Sequence, residues 1–155
     1  MKINKLINFI FALFTMMIGL VFSASALAAT SDEAINYRKS VMAAHQWNMK
    51  IMSRMVQGHV AYDKAEFTRR AQNIAELSKM THEGFLIPDS DIGDTRAKPE
   101  IWDSMDKFKL ESDKLVTEAA KLVSLSQGND IKAINTQFGN MLNTCDGCHA
   151  KFRSQ

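Results

Sequence analysis

The chain has 155 residues, 46% hydrophobic and 23% charged, with 7 Gly and 2 Pro, proportions that suit one globular domain and exclude disorder, collagen and low-complexity sequence. Setting aside Lys2 and Lys5 near the N-terminus, the 19 Lys and Arg fall to 17, matching 17 Asp and Glu; that balance supplies no long-range field for nucleic acid or an anionic membrane surface. The only two cysteines, Cys145 and Cys148, are too few for a disulfide-stapled miniature scaffold.

Residues 1–28 read as a secretory signal. Lys2 and Lys5 open it, an apolar run extends from Leu6 to Phe22, and Ser23 to Ala28 are mostly small, ending Ala26-Leu27-Ala28. Cleavage is expected after Ala28, leaving residues 29–155 as one domain in an exported, oxidising compartment. The competing reading is an uncleaved anchor, because the apolar run approaches spanning length.

Thr30 with Glu33 forms a capping box, and a helix is expected from about Ser31 to Gln57, stopped at Gly58. Its inward stripe is Ile35, Arg38, Met42, His45, Met49, Met52 and Val56, at alternating steps of three and four. Asp63 with Glu66 starts a second helix, whose stripe Phe67, Ala71, Ile74 and Ser78, with Leu77 beside it, ends near Met80 or Thr81. From Gly84 to Lys98 there is no helical period, and Pro88, Asp89, Ser90, Asp91, Gly93 and Asp94 mark a long loop. Pro99 suits the first turn of a third helix with the stripe Ile101, Met105, Phe108, Ser112, Leu115, Ala119 and Leu122, ending before Gly128. A fourth starts near Asp130, with Ile131, Ile134, Phe138, Met141, Cys145, Cys148 and Phe152 inward. No segment alternates with period two, so the expected fold is all-α, an antiparallel four-helix bundle.

Cys145-Asp146-Gly147-Cys148-His149 is C-x-x-C-H, the attachment sequence for haem c. Positions i and i+3 of a helix share a face, so both thiols reach the two vinyl groups on one edge of a porphyrin, and His149 follows as proximal iron ligand. A disulfide or a thioredoxin-like pair is the alternative, but the latter wants a βαβ pattern that this sequence lacks. His45, His59 and His82 make no set with the cysteines at zinc-ligand spacing.

Antiparallel packing brings to the level of the motif the start of the first helix, the end of the second and the start of the third. The expected neighbours are Ile35, Arg38 and Met42; Leu77, Met80, His82 and Phe85; and Ile101, Trp102 and Met105, a mostly apolar enclosure. Arg38, charged on an inward stripe, is expected to pair with a haem propionate, the alternative being a packed stem whose head reaches solvent. His82 is either a partly exposed helix-end side chain or, in a peroxidase-like enzyme, a distal acid/base group.

The C-x-x-C-H followed by Lys151-Phe152-Arg153, the early Tyr37-Arg38-Lys39-Ser40-Val41-Met42, the connection Gly58 to Asp63 and the run Lys98-Pro99-Glu100-Ile101-Trp102 together resemble cytochrome c′. The similarity extends over essentially all of residues 29–155. It implies a periplasmic protein with one covalent haem, commonly a homodimer through the first two helices. It also implies a high-spin five-coordinate iron open to carbon monoxide or nitric oxide. Residue by residue, Cys145 and Cys148 match the thioether cysteines and His149 the axial ligand. Arg38 matches a residue near the propionates, Met42 the distal side chain and Arg153 a basic residue near the proximal face. His82 departs from the pattern, standing where many members carry an aromatic. The expected role is electron transfer, gas binding or both, with an unidentified redox partner and no enzymatic turnover. The alternative is a six-coordinate, low-spin electron-transfer cytochrome with Met42 bound to iron.

Overall fold

A computed structural model describes residues 29–155; the expected signal segment lies outside the described residues. The first helix, α1, spans Ser31–Val56. Thr30 and Glu33 close the capping box at its start, and Gly58, at φ 72°, takes the left-handed conformation beyond its end. Helix α2, Lys64–Met80, is capped by Asp63, whose side chain accepts from the Glu66 amide. A short 3-10 turn at Glu83–Phe85 leads into the long loop. The third expected helix is divided into α3, Glu100–Asp103, and α4, Met105–Ser126. Helix α5, Ile131–Phe152, is capped by Asp130 and carries the attachment motif in its last turns.

The division of the third helix corrects the sequence reading. Ser104, at φ −141° and ψ 51°, leaves the helical region, and its carbonyl starts the next helix by accepting from the Lys107 and Phe108 amides. The bend turns Ile101 and Trp102 toward Phe85 and Phe108, a tertiary gain that periodicity along one axis cannot register.

The face of α1 is corrected as well. Its buried residues are Ala34, Ile35, Arg38, Val41, His45, Asn48, Met52 and Met55. Met42, Met49 and Val56, expected inward, stand half-buried at the edge of that face. Apolarity favours Met42 and Met49, but packing on α2 rotates the helix so that Asn48 is enclosed. There its amide accepts from Asn73 Nδ2 at 3.1 Å and donates to the Ala44 carbonyl, so burial leaves no polar atom of that amide unpaired.

Packing runs α1 on α2, α2 on α4 and α4 on α5, while α1 and α5 have the least helix-to-helix packing around the bundle. One core joins Met52, Phe67, Ile74, Leu122, Ile134, Phe138 and Met141 from all four long helices. A second, smaller cluster holds Phe85, Ile101, Phe108 and Phe152, with Ala97, Trp102, Met105 and Cys148 packed against it. The C-terminus is tied to the loop by the single bridge pair Ala97 and Arg153, with Lys98 N–H donating to the Phe152 carbonyl. No helix among the described residues is long and apolar enough to cross a membrane.

Candidate functional site

The two cysteines lie on one face of α5, one turn apart, as free thiols. Each touches a different core: Cys145 packs against the larger cluster and Cys148 against the smaller. The motif therefore stands where the two apolar interiors meet. Burial pushes the Cys145 thiol up, and burial with the nearby Glu111 carboxylate pushes Cys148 up to about 11. A redox-active C-x-x-C needs the opposite, a depressed thiol at a helix N-terminus; here both sulfurs sit near a C-terminal end, where the helix dipole disfavours a thiolate.

His149 is half-buried, and desolvation is the largest influence lowering its pKa, with Asp146 opposing and Arg96 assisting. A neutral imidazole keeps a nitrogen lone pair free for a metal. Arg96 is a residue that the sequence reading missed, because the bridge between Ala97 and Arg153, not proximity in sequence, brings it near His149. Glu111 was also missed. It is buried on α4, and Lys151 reaches across from α5 to its Oε1 at 2.6 Å, with Lys114 at 2.9 Å. The only available signal was an acid beside the apolar stripe.

The smaller cluster forms an aromatic row. Phe152 meets Phe108 edge-on at 5.4 Å, Phe108 lies 4.5 Å from Phe85, and Phe85 lies 6.1 Å from Trp102. Of the neighbours expected from sequence, Phe85, Ile101, Trp102 and Met105 do assemble here. The donor set fits a haem: two neutral thiols on one helical face, an adjacent neutral imidazole, and a wall of flat apolar rings.

Arg38 is buried, 5% exposed, so its head does not reach solvent. Its Nη1 donates to the Gly84 carbonyl at 3.1 Å and Ser90 Oγ at 2.8 Å; its Nη2 donates to the Ser90 carbonyl at 2.6 Å and Thr95 Oγ1 at 3.2 Å. The guanidinium also lies over Phe85 at 4.7 Å and Trp102 at 5.6 Å. It makes no salt bridge with a carboxylate among the described residues. Desolvation lowers its pKa and Asp91 partly offsets this.

Met42 is half-buried, one turn beyond Arg38 on α1. His45 is buried between α1 and α2, its Nε2 3.4 Å from Thr81 Oγ1, so it serves the helix contact. His82 is half-buried, yet its ring is drawn inward, stacked on Phe108 at 6.1 Å with Nε2 buried. Arg153 has an exposed side chain, and its amide donates to the His149 carbonyl at 3.1 Å. A surface groove between α4 and α5 at Lys114, Glu118 and Gln137 holds none of these groups.

Known proteins share this fold and much of this sequence. A cytochrome c′ from Halomonas halodenitrificans is 33% identical over 132 residues, covering 82% of this chain and 100% of the relative. The structure of cytochrome c prime from Shewanella frigidimarina is 34% identical with a TM-score of 0.79, covering 83% of this chain and 99% of that one. A nitric oxide complex of a mutant cytochrome c prime from Alcaligenes xylosoxidans is 25% identical with a TM-score of 0.76, covering 83% of this chain and 98% of that one. The family model for cytochrome c′ matches residues 33–153, from the first turn of α1 to the residue that caps α5. With the bundle, the attachment motif and the aromatic wall in one place, this chain belongs to the haem-binding cytochrome c′ family.

Proposed function

We propose that this protein is an exported, periplasmic c-type cytochrome that carries one haem through thioethers at Cys145 and Cys148, with His149 as the axial ligand. It acts in electron transfer, in binding nitric oxide or carbon monoxide at a five-coordinate iron, or in both, and it turns over no substrate as an enzyme. The observation that carries this reading is the pair of neutral thiols on one face of α5, beside a neutral imidazole and against a row of aromatic rings. The nitric oxide complex of the Alcaligenes relative supports gas binding, and the balanced charge supports exchange with a small partner over any polyanion.

A haem supplies reversible one-electron exchange and an open coordination position. The rest is the work of this chain. Cys145 and Cys148 fix the macrocycle to α5, so the site survives without the dissociation that limits a non-covalent cofactor. His149 holds a nitrogen lone pair at that helix end, with Asp146 and Arg96 setting the local charge. Phe85, Phe108, Phe152 and Ile101 exclude water, which raises the weight of each remaining electrostatic interaction. Met42, half-buried and uncharged on α1, would serve as a lid that admits small neutral ligands. Two chains pair through α1 and α2, where Trp47 is 63% exposed.

The test is a haem-stained denaturing gel of the exported protein, with the ferric spectrum of the native sample. Expected are pigment that survives denaturation, its loss in Cys145→Ser/Cys148→Ser, and a high-spin ferric spectrum. A colourless wild-type protein ends the reading.

A further inference from the structure

The smaller core contains a polar atom that the chain itself leaves unpaired. Trp102 Nε1 is buried, with no hydrogen-bond partner among the described residues. An indole nitrogen only donates, and an unmatched buried donor costs roughly 1–3 kcal/mol. Its natural complement is therefore an acceptor that enters the site from outside the polypeptide.

The aromatic row ties that nitrogen to the site, since Trp102 and Cys148 pack against the same cluster. It begins at Phe152, one turn past Cys148, and passes through Phe108 and Phe85 to Trp102 in steps of 5.4, 4.5 and 6.1 Å. Trp102 closes the row, three ring contacts from Phe152. In a haem joined through its vinyl edge, the edge opposite carries the two propionates. They are its only peripheral acceptors, since the pyrrole nitrogens bind iron and the other substituents are apolar.

Arg38 completes the argument by what it no longer offers. Sequence alone gives it the task of pairing with a propionate, but both terminal nitrogens donate to Gly84, Ser90 and Thr95. Its charge nevertheless lies 5.6 Å from the Trp102 ring, so the same spot is electropositive while both terminal nitrogens are engaged with the loop.

We infer that Trp102 is a propionate anchor: its Nε1–H donates to one haem propionate carboxylate, and the Arg38 guanidinium, held by the loop, supplies the positive field behind it. This rests on the covalent-haem reading. Trp102 is a positioning residue, setting the seat and the charge environment of the macrocycle without touching the iron.

The experiment compares wild-type holoprotein with Trp102→Phe, which keeps a ring and removes the N–H. Covalent pigment is expected in both, with the propionate-bending band of the resonance Raman spectrum displaced in the variant. The midpoint potential should move negative, because a less neutralised carboxylate favours the ferric charge. Pigment with an unmoved band and potential overturns the inference while leaving the haem reading intact, whereas an unpigmented wild type defeats both. A change confined to the C–O stretch of the carbon monoxide adduct places the indole over the iron and also overturns it. Should Trp102→Phe fail to accumulate, Trp47→Phe removes the only other tryptophan. The ultraviolet resonance Raman indole N–H band of that variant should lie at its hydrogen-bonded position, and a free N–H position refutes the anchor.

Discussion

Replacing Arg38 by Leu tests the pin that holds the long loop against the bundle. The side chain makes four hydrogen bonds to residues 84–95. In Arg38→Leu, Ser90 Oγ keeps its bond to the Ile87 carbonyl at 2.8 Å, and Thr95, half-buried, has access to water. The carbonyls of Gly84 and Ser90, both buried residues, lose their charged donors. Each buried acceptor left unpaired costs about 1–3 kcal/mol; relief from desolving the guanidinium, which depresses its pKa, offsets part of the sum. The net expectation is about 2–4 kcal/mol of lost stability, roughly 10 °C in melting temperature at this size. The assay is urea denaturation of the purified holoprotein, followed by limited proteolysis with peptide mapping. Cleavage should begin within residues 84–98, well before the helices open. A variant within 0.5 kcal/mol of wild type, with the loop still protected, would refute the pinning argument.

Gly84→Ala should also loosen this region by about 1–3 kcal/mol, because an added Cβ meets Arg38 Cγ at 2.5 Å and Tyr37 Cδ1 at 2.8 Å; thermal melts decide it. His45 makes stability depend on acid: burial lowers its folded-state pKa below the ordinary 6.5, so below that pH the unfolded chain takes up a proton that the folded one refuses. Stability should therefore fall from about pH 6.5 downward, by up to about 1.4 kcal/mol per pH unit for this group, until the folded pKa is reached. Urea titrations of wild type and His45→Gln should give different slopes across this window; parallel curves count against it. Met42→Ala should leave the ferric protein high-spin and speed carbon monoxide association, measured by flash photolysis. A far-red sulfur-to-iron band in wild type that vanishes in the variant would instead make Met42 a ligand.

The sequence alone determined the local parts. Capping at Thr30, Asp63 and Asp130 and the alternating three-four stripes are near-neighbour physics, so those three helices start where they were expected to start. The attachment motif was legible for the same reason: Cys145, Cys148 and His149 lie within five consecutive residues of one helix. Antiparallel order then placed Phe85, Ile101 and Trp102 at the motif's level, as found.

What only the tertiary structure decided concerns groups whose partners are distant in sequence. The rotation of α1, which buries Val41 and Asn48 and leaves Met42 at the edge, depends on Asn73 across the interface. The break at Ser104 yields packing on Phe85, a residue of the loop. Arg38 was legible as a charge in need of partners, but those partners are backbone carbonyls and hydroxyls 46 to 57 positions away, and a carbonyl has no signature in a sequence. Arg96 acts on His149 because the bridge between Ala97 and Arg153 brings it there, and Glu111 acts on Cys148 because α4 packs against α5. Periodicity reports which face of a helix is apolar; the field at a buried atom is a sum over neighbours that the chain brings together only when it has folded.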